Sequence, residues 1–347
     1  MPHAGCPVTT ARSRRVLDVA LLVEQASGSE PAHRARAVAR LISLVEDASP
    51  ALREVMARLA PRAGHARVVG LTGSPGVGKS TSTNALVAAY RRRGMRVGVL
   101  AIDPSSPFSG GALLGDRVRM QDHATDDGVF IRSMASRGHL GGLSWATPQA
   151  LRVLSAAGCD VVLIETVGVG QAEVEIASLA DTTLVLLAPG MGDGIQAAKA
   201  GILEVADVFV VNKADRDGAD TVVRDLRYML SLGDRRTDNG WRVPIVKTIA
   251  AKGEGADEVV NEIERHGEWL AGNGQLEARR RKRAGGEVEA IALTALRDRL
   301  GDLGGSDALD ALAARVVAGE LDPYAAADEL VAAVTAAAAA PDASGSS

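Results

Sequence analysis

The segment from Arg67 to Arg93 constrains the fold more than any other part of the chain. Gly73-Ser74-Pro75-Gly76-Val77-Gly78-Lys79-Ser80 fits the pattern G-x-x-x-x-G-K-[ST] at every fixed position. Glycines let the backbone curl, and the curl aims several N–H groups at one point, which suits phosphate oxygens. Lys79 has the reach for β- and γ-phosphates, and the Ser80 hydroxyl suits Mg²⁺. Before the loop, Arg67-Val68-Val69-Gly70-Leu71-Thr72 is a short apolar run that reads as a buried strand. After it, Thr81 to Arg93 reads as a helix whose N-terminal dipole favours an anion. A chance glycine-rich turn would lack both flanks.

The rest of the chain fits a sheet built around that strand. Apolar runs at Val68–Thr72, Val97–Ile102, Val129–Ile131, Val161–Glu165, Thr183–Ala188, Val208–Asn212 and Val243–Lys247 alternate with helical segments. This is the pattern of an α/β protein with a mostly parallel central sheet flanked by helices. Several runs are continuously apolar, as expected of strands covered on both faces. Ligands of such sheets bind at the carboxyl ends of strands, where Asp103, Glu165, Asn212 and the loop after Thr72 fall.

Four regions are expected. Residues 1–64 form an N-terminal helical extension, with Val38, Leu41, Ile42 and Val45 at helix spacing and Pro31 and Pro50 as punctuation. Its first seventeen residues carry arginines and no acid, and are expected to fray. Residues 65–270 form the phosphate-loop domain, and residues 271–335 a C-terminal helical segment with helices at Val288–Leu300 and Ala308–Val317. The Ala-, Ser- and Gly-rich stretch 336–347 is expected to be disordered. Arg279-Arg280-Arg281-Lys282-Arg283 reads as a solvated helix face.

Composition narrows the setting. The net charge of −4 argues against a nucleic-acid partner held by bulk electrostatics. No run of apolar residues is long enough to span a membrane. The two cysteines, Cys6 and Cys159, form no paired motif, which fits a reducing cytoplasm.

The phosphate loop leaves the base open. Asn212-Lys213-Ala214-Asp215 follows an apolar strand and has the form N-K-x-D. Asp215 can accept two hydrogen bonds from guanine N1 and N2; adenine offers no such donors and would leave the carboxylate unpaired. Asn212 supports the loop, and the Lys213 stem can lie on the ring face. The backbone N–H of Ala250, in Thr248-Ile249-Ala250-Ala251, is a candidate donor to guanine O6. Glu165-Thr166-Val167-Gly168 resembles a D-x-x-G switch with Glu in place of Asp, and the Gly168 N–H is placed to sense a γ-phosphate. Val169 stands where Ras-like proteins carry their catalytic Gln, and Gln171 comes two residues later, so slow intrinsic hydrolysis that needs outside help is expected. Lys79, Asp103, Asp116 and Glu165 are the candidate catalytic residues. Ser80 is the strongest metal ligand, and Asp103, Asp116 and Glu165 either bind Mg²⁺ through water or orient the attacking water. The sequence does not apportion those two roles.

Taken together these residues resemble the methylmalonyl-CoA mutase-associated GTPase family, over roughly residues 16–320. The resemblance rests on Gly73–Thr81, on Asp103-Pro104-Ser105-Ser106-Pro107 and on Gly110-Gly111-Ala112-Leu113-Leu114-Gly115-Asp116-Arg117. Further matches are Arg132-Ser133-Met134-Ala135-Ser136-Arg137-Gly138, Leu140-Gly141-Gly142-Leu143, Glu165 through Gln171, and Asn212–Asp215. It implies a homodimer of the SIMIBI class of P-loop GTPases, with residues 271–335 as the dimerisation arm. It implies GTP, GDP and Mg²⁺ as ligands and an adenosylcobalamin-dependent acyl-CoA mutase as partner. GTP binding and hydrolysis would gate cofactor loading and protect the mutase. The family's switch III would fall on residues 190–201, with Gln196 and Lys199 as its polar residues. Ile249 stands where relatives often have Ser, and the arm is Ala-rich with few large apolar residues. Two other readings stay in view. A metallocentre-assembly GTPase would usually carry His-rich tracts, whereas the six histidines here are scattered. A kinase of a transport protein would need a phosphate acceptor.

Overall fold

The computed structural model describes residues 18–104, 123, 125–136, 146–166, 172–190, 204–232 and 240–339. Two compact units emerge, Met1–Arg279 and Arg280–Ser347. The described strands of the first unit are β1 (Arg67–Thr72), β2 (Val97–Pro104), β3 (Val129–Ser136), β4 (Val161–Thr166), β5 (Thr182–Leu187), β6 (Val208–Val211) and β7 (Ile245–Lys247). They form one sheet in the order β3-β2-β4-β1-β5-β6-β7, and every described pairing is parallel. Each of the seven apolar runs read from the sequence contains a strand, although Val243 and Pro244 precede β7 and Ala188 and Asn212 follow β5 and β6. Parallel neighbours need crossovers, and these bring helices onto both faces, so strands stay apolar on both sides.

The described α-helices of this unit are α1 (Val19–Ser27), α2 (Pro31–Glu46), α3 (Leu52–Leu59), α4 (Lys79–Arg92), α5 (Thr147–Ala156), α6 (Ala172–Leu179), α7 (Ala219–Leu232) and α8 (Ala256–Gly272). On one face Val69, Leu71, Val99, Leu163, Leu184 and Leu186 pack with Leu86 and Tyr90 of α4 and Val260 and Ile263 of α8. On the other, Val68, Leu100, Ile102, Val162 and Ile164 share a core with α5 and with Val38, Leu41, Ile42 and Val45 of α2. The N-terminal helices thus complete a face of the sheet. Arg132 of β3 reinforces this, donating to Ser43 Oγ at 3.0 Å and pairing with Glu46. Strands feeding into loops at their carboxyl ends place Thr72, Asp103, Thr166 and Asn212 along one edge.

The structure shifts several expected boundaries. β3 runs to Ser136 rather than Ile131, because its backbone pairs with β2 as far as Pro104. α4 begins at Lys79, two residues before Thr81, since the loop's last residue already turns helical. Two predicted C-terminal helices are one, α9 (Gln275–Val317), which is followed by α10 (Pro323–Ala339). Glycine weakens a helix without breaking it, and α9 contains no proline to remove an N–H. Ala336–Ala339, expected to lack structure, belong to α10, as their high alanine propensity favours. No described helix is long and apolar enough to cross a membrane. Cys159 is buried, and burial pushes its thiol up to about 12, which leaves it inert.

Arg279 departs from its expected solvated face. Its guanidinium donates twice to Asp207, both at 3.0 Å, and once to the Asp181 carbonyl at 2.9 Å. Asp207 also accepts the Thr183 N–H at 2.8 Å, and its Oδ1 lies 3.3 Å from Nε2 of the fully buried His266. The Thr182 hydroxyl meets His266 Nδ1 at 2.9 Å, and Trp241 and Trp269 pack on the ring. This cluster closes the amino ends of β5 and β6, opposite the phosphate loop.

Burial holds His266 down at about 4 against an ordinary 6.5; Asp207 opposes the shift, and Arg279 and Arg67 add to it. Between those values the unfolded chain binds the extra proton, so stability is full above pH 6.5 and falls as pH drops toward 4. The loss from this group is on the order of 3 kcal/mol. Urea unfolding at pH 7 and pH 4.5 should show a smaller acid-side loss for His266→Gln than for the unaltered chain. Equal losses would remove His266 as the cause.

Candidate functional site

The strand β1 ends at Thr72 and the chain turns sharply through Gly73, at φ +142°. A Cβ there would stand 2.4 Å from the Leu186 carbonyl oxygen of β5, so only glycine fits beside that strand. The loop closes on α4 at Gly78, φ +95°, where a Cβ would stand 2.5 Å from Asn212 Nδ2. Between them Val77 is buried in the core under α4 and pins the loop from below. Pro75 and Gly76 are exposed at its crest, Ser74 is half-buried and Thr81 faces outward on α4.

Lys79 curls back over the loop. Its Nζ donates to the Gly73 carbonyl at 2.6 Å and the Ser74 carbonyl at 3.1 Å. An ammonium held beside a glycine-rich loop at a helix N-terminus is a fit for phosphate. Beside it Ser80 Oγ donates to Glu165 Oε1 at 2.5 Å. Glu165 is buried near the end of β4, with Leu71 of β1 and Ala101 of β2 as its register neighbours. Its second oxygen accepts from Thr83 Oγ1 at 2.9 Å. Hydroxyl and carboxylate oxygens side by side are the donor set a hard cation such as Mg²⁺ takes.

Asn212 joins the N-K-x-D turn to this loop. Its Nδ2 donates to the Val77 carbonyl at 2.9 Å. Its Oδ1 accepts from the Ala250 N–H at 3.0 Å and the Thr248 hydroxyl at 3.2 Å. Lys213, at φ +57°, donates from Nζ to the Gly76 carbonyl at 2.7 Å, so its stem crosses from the turn to the crest of the loop. The Ala214 N–H donates to the Thr248 carbonyl at 3.0 Å. Asp215 is exposed at the end of the turn. The Ala250 N–H is thus already engaged by Asn212, and any bond from it to a base would be a second one.

The structure brings together Gly73 through Ser80, Glu165, Asn212, Lys213 and Ala250. Asp103 lies in the carboxyl end of β2, opposite Ala135 of β3. Asp116, Gly168, Gln196 and Lys199 lie outside the described residues. Sequence reasoning missed Thr83 and Thr248. Thr83 stands four residues after Lys79, on the same helix face, but the contact that matters is with Glu165, 82 residues away in sequence.

A parallel sheet with this loop at one strand end and an N-K-x-D turn braced against it defines a P-loop GTPase. Residues 38–302 match the family model described as methylmalonyl-CoA mutase-associated GTPase MeaB. The chain belongs to that family, within the SIMIBI class. A Pyrococcus abyssi protein, provisionally named as a GTPase, is 48% identical over 297 residues, 85% of this chain and 92% of its own. The mouse protein named methylmalonic aciduria type A homolog, mitochondrial, is 39% identical over 215 residues, 61% of this chain and 52% of its own. The crystal structure of an LAO/AO transport system kinase superposes with a TM-score of 0.66 at 26% identity, covering 94% of this chain and all of that one.

Asn212→Ala would leave the Val77 carbonyl, the Ala250 N–H and the Thr248 hydroxyl without their shared partner. The expected cost is on the order of 2–4 kcal/mol. Thermal unfolding should show a lowered midpoint, and GDP should restore less of it than in the unaltered chain. An unchanged midpoint together with unchanged GDP stabilisation would mean the two loops are held by other contacts.

Proposed function

We propose that this GTPase hydrolyses GTP slowly alone, and that its nucleotide cycle gates adenosylcobalamin loading onto an acyl-CoA mutase and protects that mutase. Methylmalonyl-CoA mutase is the first partner to test, because the matching family is described by its association with that enzyme. The nucleotide half of the reading is carried by one observation: Asn212 and Lys213 tie the base-reading turn directly to the phosphate loop.

In this reading residues Gly73 through Thr81 wrap the phosphates, with Lys79 moving its ammonium from the Gly73 and Ser74 carbonyls onto β- and γ-oxygens. Ser80 is the direct Mg²⁺ ligand. The metal, when bound, offsets charge on the phosphate oxygens. Glu165, Asp103 and Asp116 divide between holding metal-bound water and orienting the attacking water. Gly168 senses the γ-phosphate, and Gln196 and Lys199 act in a switch facing the partner. Asp215 reads guanine N1 and N2, the Lys213 stem covers the ring, and Ala250 shares its N–H between Asn212 and guanine O6. The side chains of Val288, Ile291, Leu293 and Leu296 are exposed on α9, which supports a second copy of the chain as their cover. The setting is the cytoplasm, with neither nucleic acid nor membrane as partner.

Adding purified methylmalonyl-CoA mutase should raise GTP turnover, and a complex should form that differs between GDP and a GTP analogue. Light scattering on the same samples should read a dimer mass. No stimulation and no nucleotide-dependent complex with any acyl-CoA mutase would end the partner proposal, whereas a phosphoprotein formed from labelled GTP in extract would favour a kinase.

The base assignment has its own check. In Asp215→Asn the amide can donate to a 2-oxo group, so preference should move from GTP to XTP, with GTP binding weakened on the order of 100-fold or more. Retained GTP preference, read by competition with a fluorescent GDP, would place base reading elsewhere.

A further inference from the structure

We propose that Thr83 is a positioning residue for GTP hydrolysis, acting through Glu165. The inference rests on the nucleotide reading above. Thr83 is fully buried on α4, one turn below Lys79 and three residues beyond Ser80. Its Oγ1 lies 2.9 Å from Glu165 Oε2 and 3.1 Å from the Lys79 carbonyl. Both neighbours only accept, and the hydroxyl has one proton to give. A threonine inside a helix ordinarily gives that proton to the carbonyl four residues back. Here the alternative acceptor is a carboxylate, at the shorter distance, and a charge-assisted bond is roughly twice as strong as a neutral one.

The two hydroxyls therefore hold the two oxygens of one carboxylate: Ser80 on Oε1 and Thr83 on Oε2. A donor on each oxygen constrains the plane of the group more tightly than a donor on one alone. Ser80 is also the candidate metal ligand, so its bond to Glu165 is made by a group with a second task. Thr83 is set deeper in the helix and has no such task. It is the anchor that keeps Oε1 aimed at Ser80 while the metal and its waters are gathered. Glu165 comes from a strand paired on both sides by β1 and β2, so Thr83 acts on the side-chain torsions and not on the backbone.

The experiment compares the unaltered chain with Thr83→Val, which keeps the branched shape and removes the hydroxyl, and Thr83→Ser, which restores it. Three quantities are read. They are kcat and KM for GTP, the Mg²⁺ concentration for half-maximal turnover, and the slowing of fluorescent GDP release by Mg²⁺. Thr83→Val should lower kcat about tenfold or more, leave KM nearly unchanged and raise the Mg²⁺ requirement several-fold. The Mg²⁺ effect on GDP release should shrink, while GDP affinity in EDTA stays within about twofold. Thr83→Ser should recover most of each change.

Thr83→Val behaving as the unaltered chain would overturn the proposal. So would equal damage in both variants, a loss of GDP affinity in EDTA matching the loss of kcat, or failure of Thr83→Val to fold alongside an impaired Thr83→Ser. If Thr83→Val fails to fold and Thr83→Ser matches the unaltered chain in all three readouts, the role is structural and the proposal falls. An unaltered chain whose GDP release ignores Mg²⁺ would instead remove the metal reading of Ser80 and Glu165, and this proposal with it.

Discussion

The Asn212 side chain is the point on which the nucleotide-facing edge depends. Its amide spans three partners from two loops that are distant in sequence: the Val77 carbonyl on one side, the Ala250 N–H and Thr248 hydroxyl on the other. Gly78 has no Cβ so that this amide can come close, and Lys213 adopts a left-handed backbone to send its ammonium to Gly76. The loop meant for phosphate and the turn meant for a base are therefore one hydrogen-bonded body. On the proposed nucleotide reading, these bonds couple recognition of the base to recognition of the phosphates.

Around that body the sheet supplies fixed points. Leu71 and Ala101 flank Glu165 in register, and α4 sends Ser80 and Thr83 to its two oxygens. A carboxylate this deeply buried would be costly without donors. Here Ser80 donates to one oxygen and Thr83 to the other, both from the helix that begins at the phosphate loop. The phosphate loop and the Ser80–Glu165 pair proposed for Mg²⁺ thus share a single helix. At the other end of the strands, Asp207 does comparable work for structure alone, gathering Arg279, Thr183 and His266.

Much of the fold was legible because parallel strands covered on both faces must be apolar runs, and runs such as Val161–Ile164 have few alternatives. The phosphate loop was legible because its glycines answer to backbone geometry that can be stated in advance. What could not be read were features set by tertiary contact. Arg279 looked like one of five solvated cations until Asp207 brought it inward. Thr83 looked like an ordinary helix residue, since nothing local says that Glu165 lies opposite it. The Ala250 N–H looked available, and only the fold shows that Asn212 holds it. The expected helices Val288–Leu300 and Ala308–Val317 merge in α9, where the intervening glycines weaken the helix and no proline breaks it.

Gly285, Gly286, Gly301, Gly304 and Gly305 make α9 an expensive helix to keep. At roughly 0.5–1 kcal/mol each against alanine, the five together cost about 2.5–5 kcal/mol, a large fraction of a small domain's stability. Such a helix persists where side-chain contacts return free energy, and Val288, Ile291 and Leu296 are the groups in a position to do so. If a second chain is what covers them, helix order in the arm and association are one equilibrium. The arm's folding would then depend on how many molecules are present, a property that no single chain possesses.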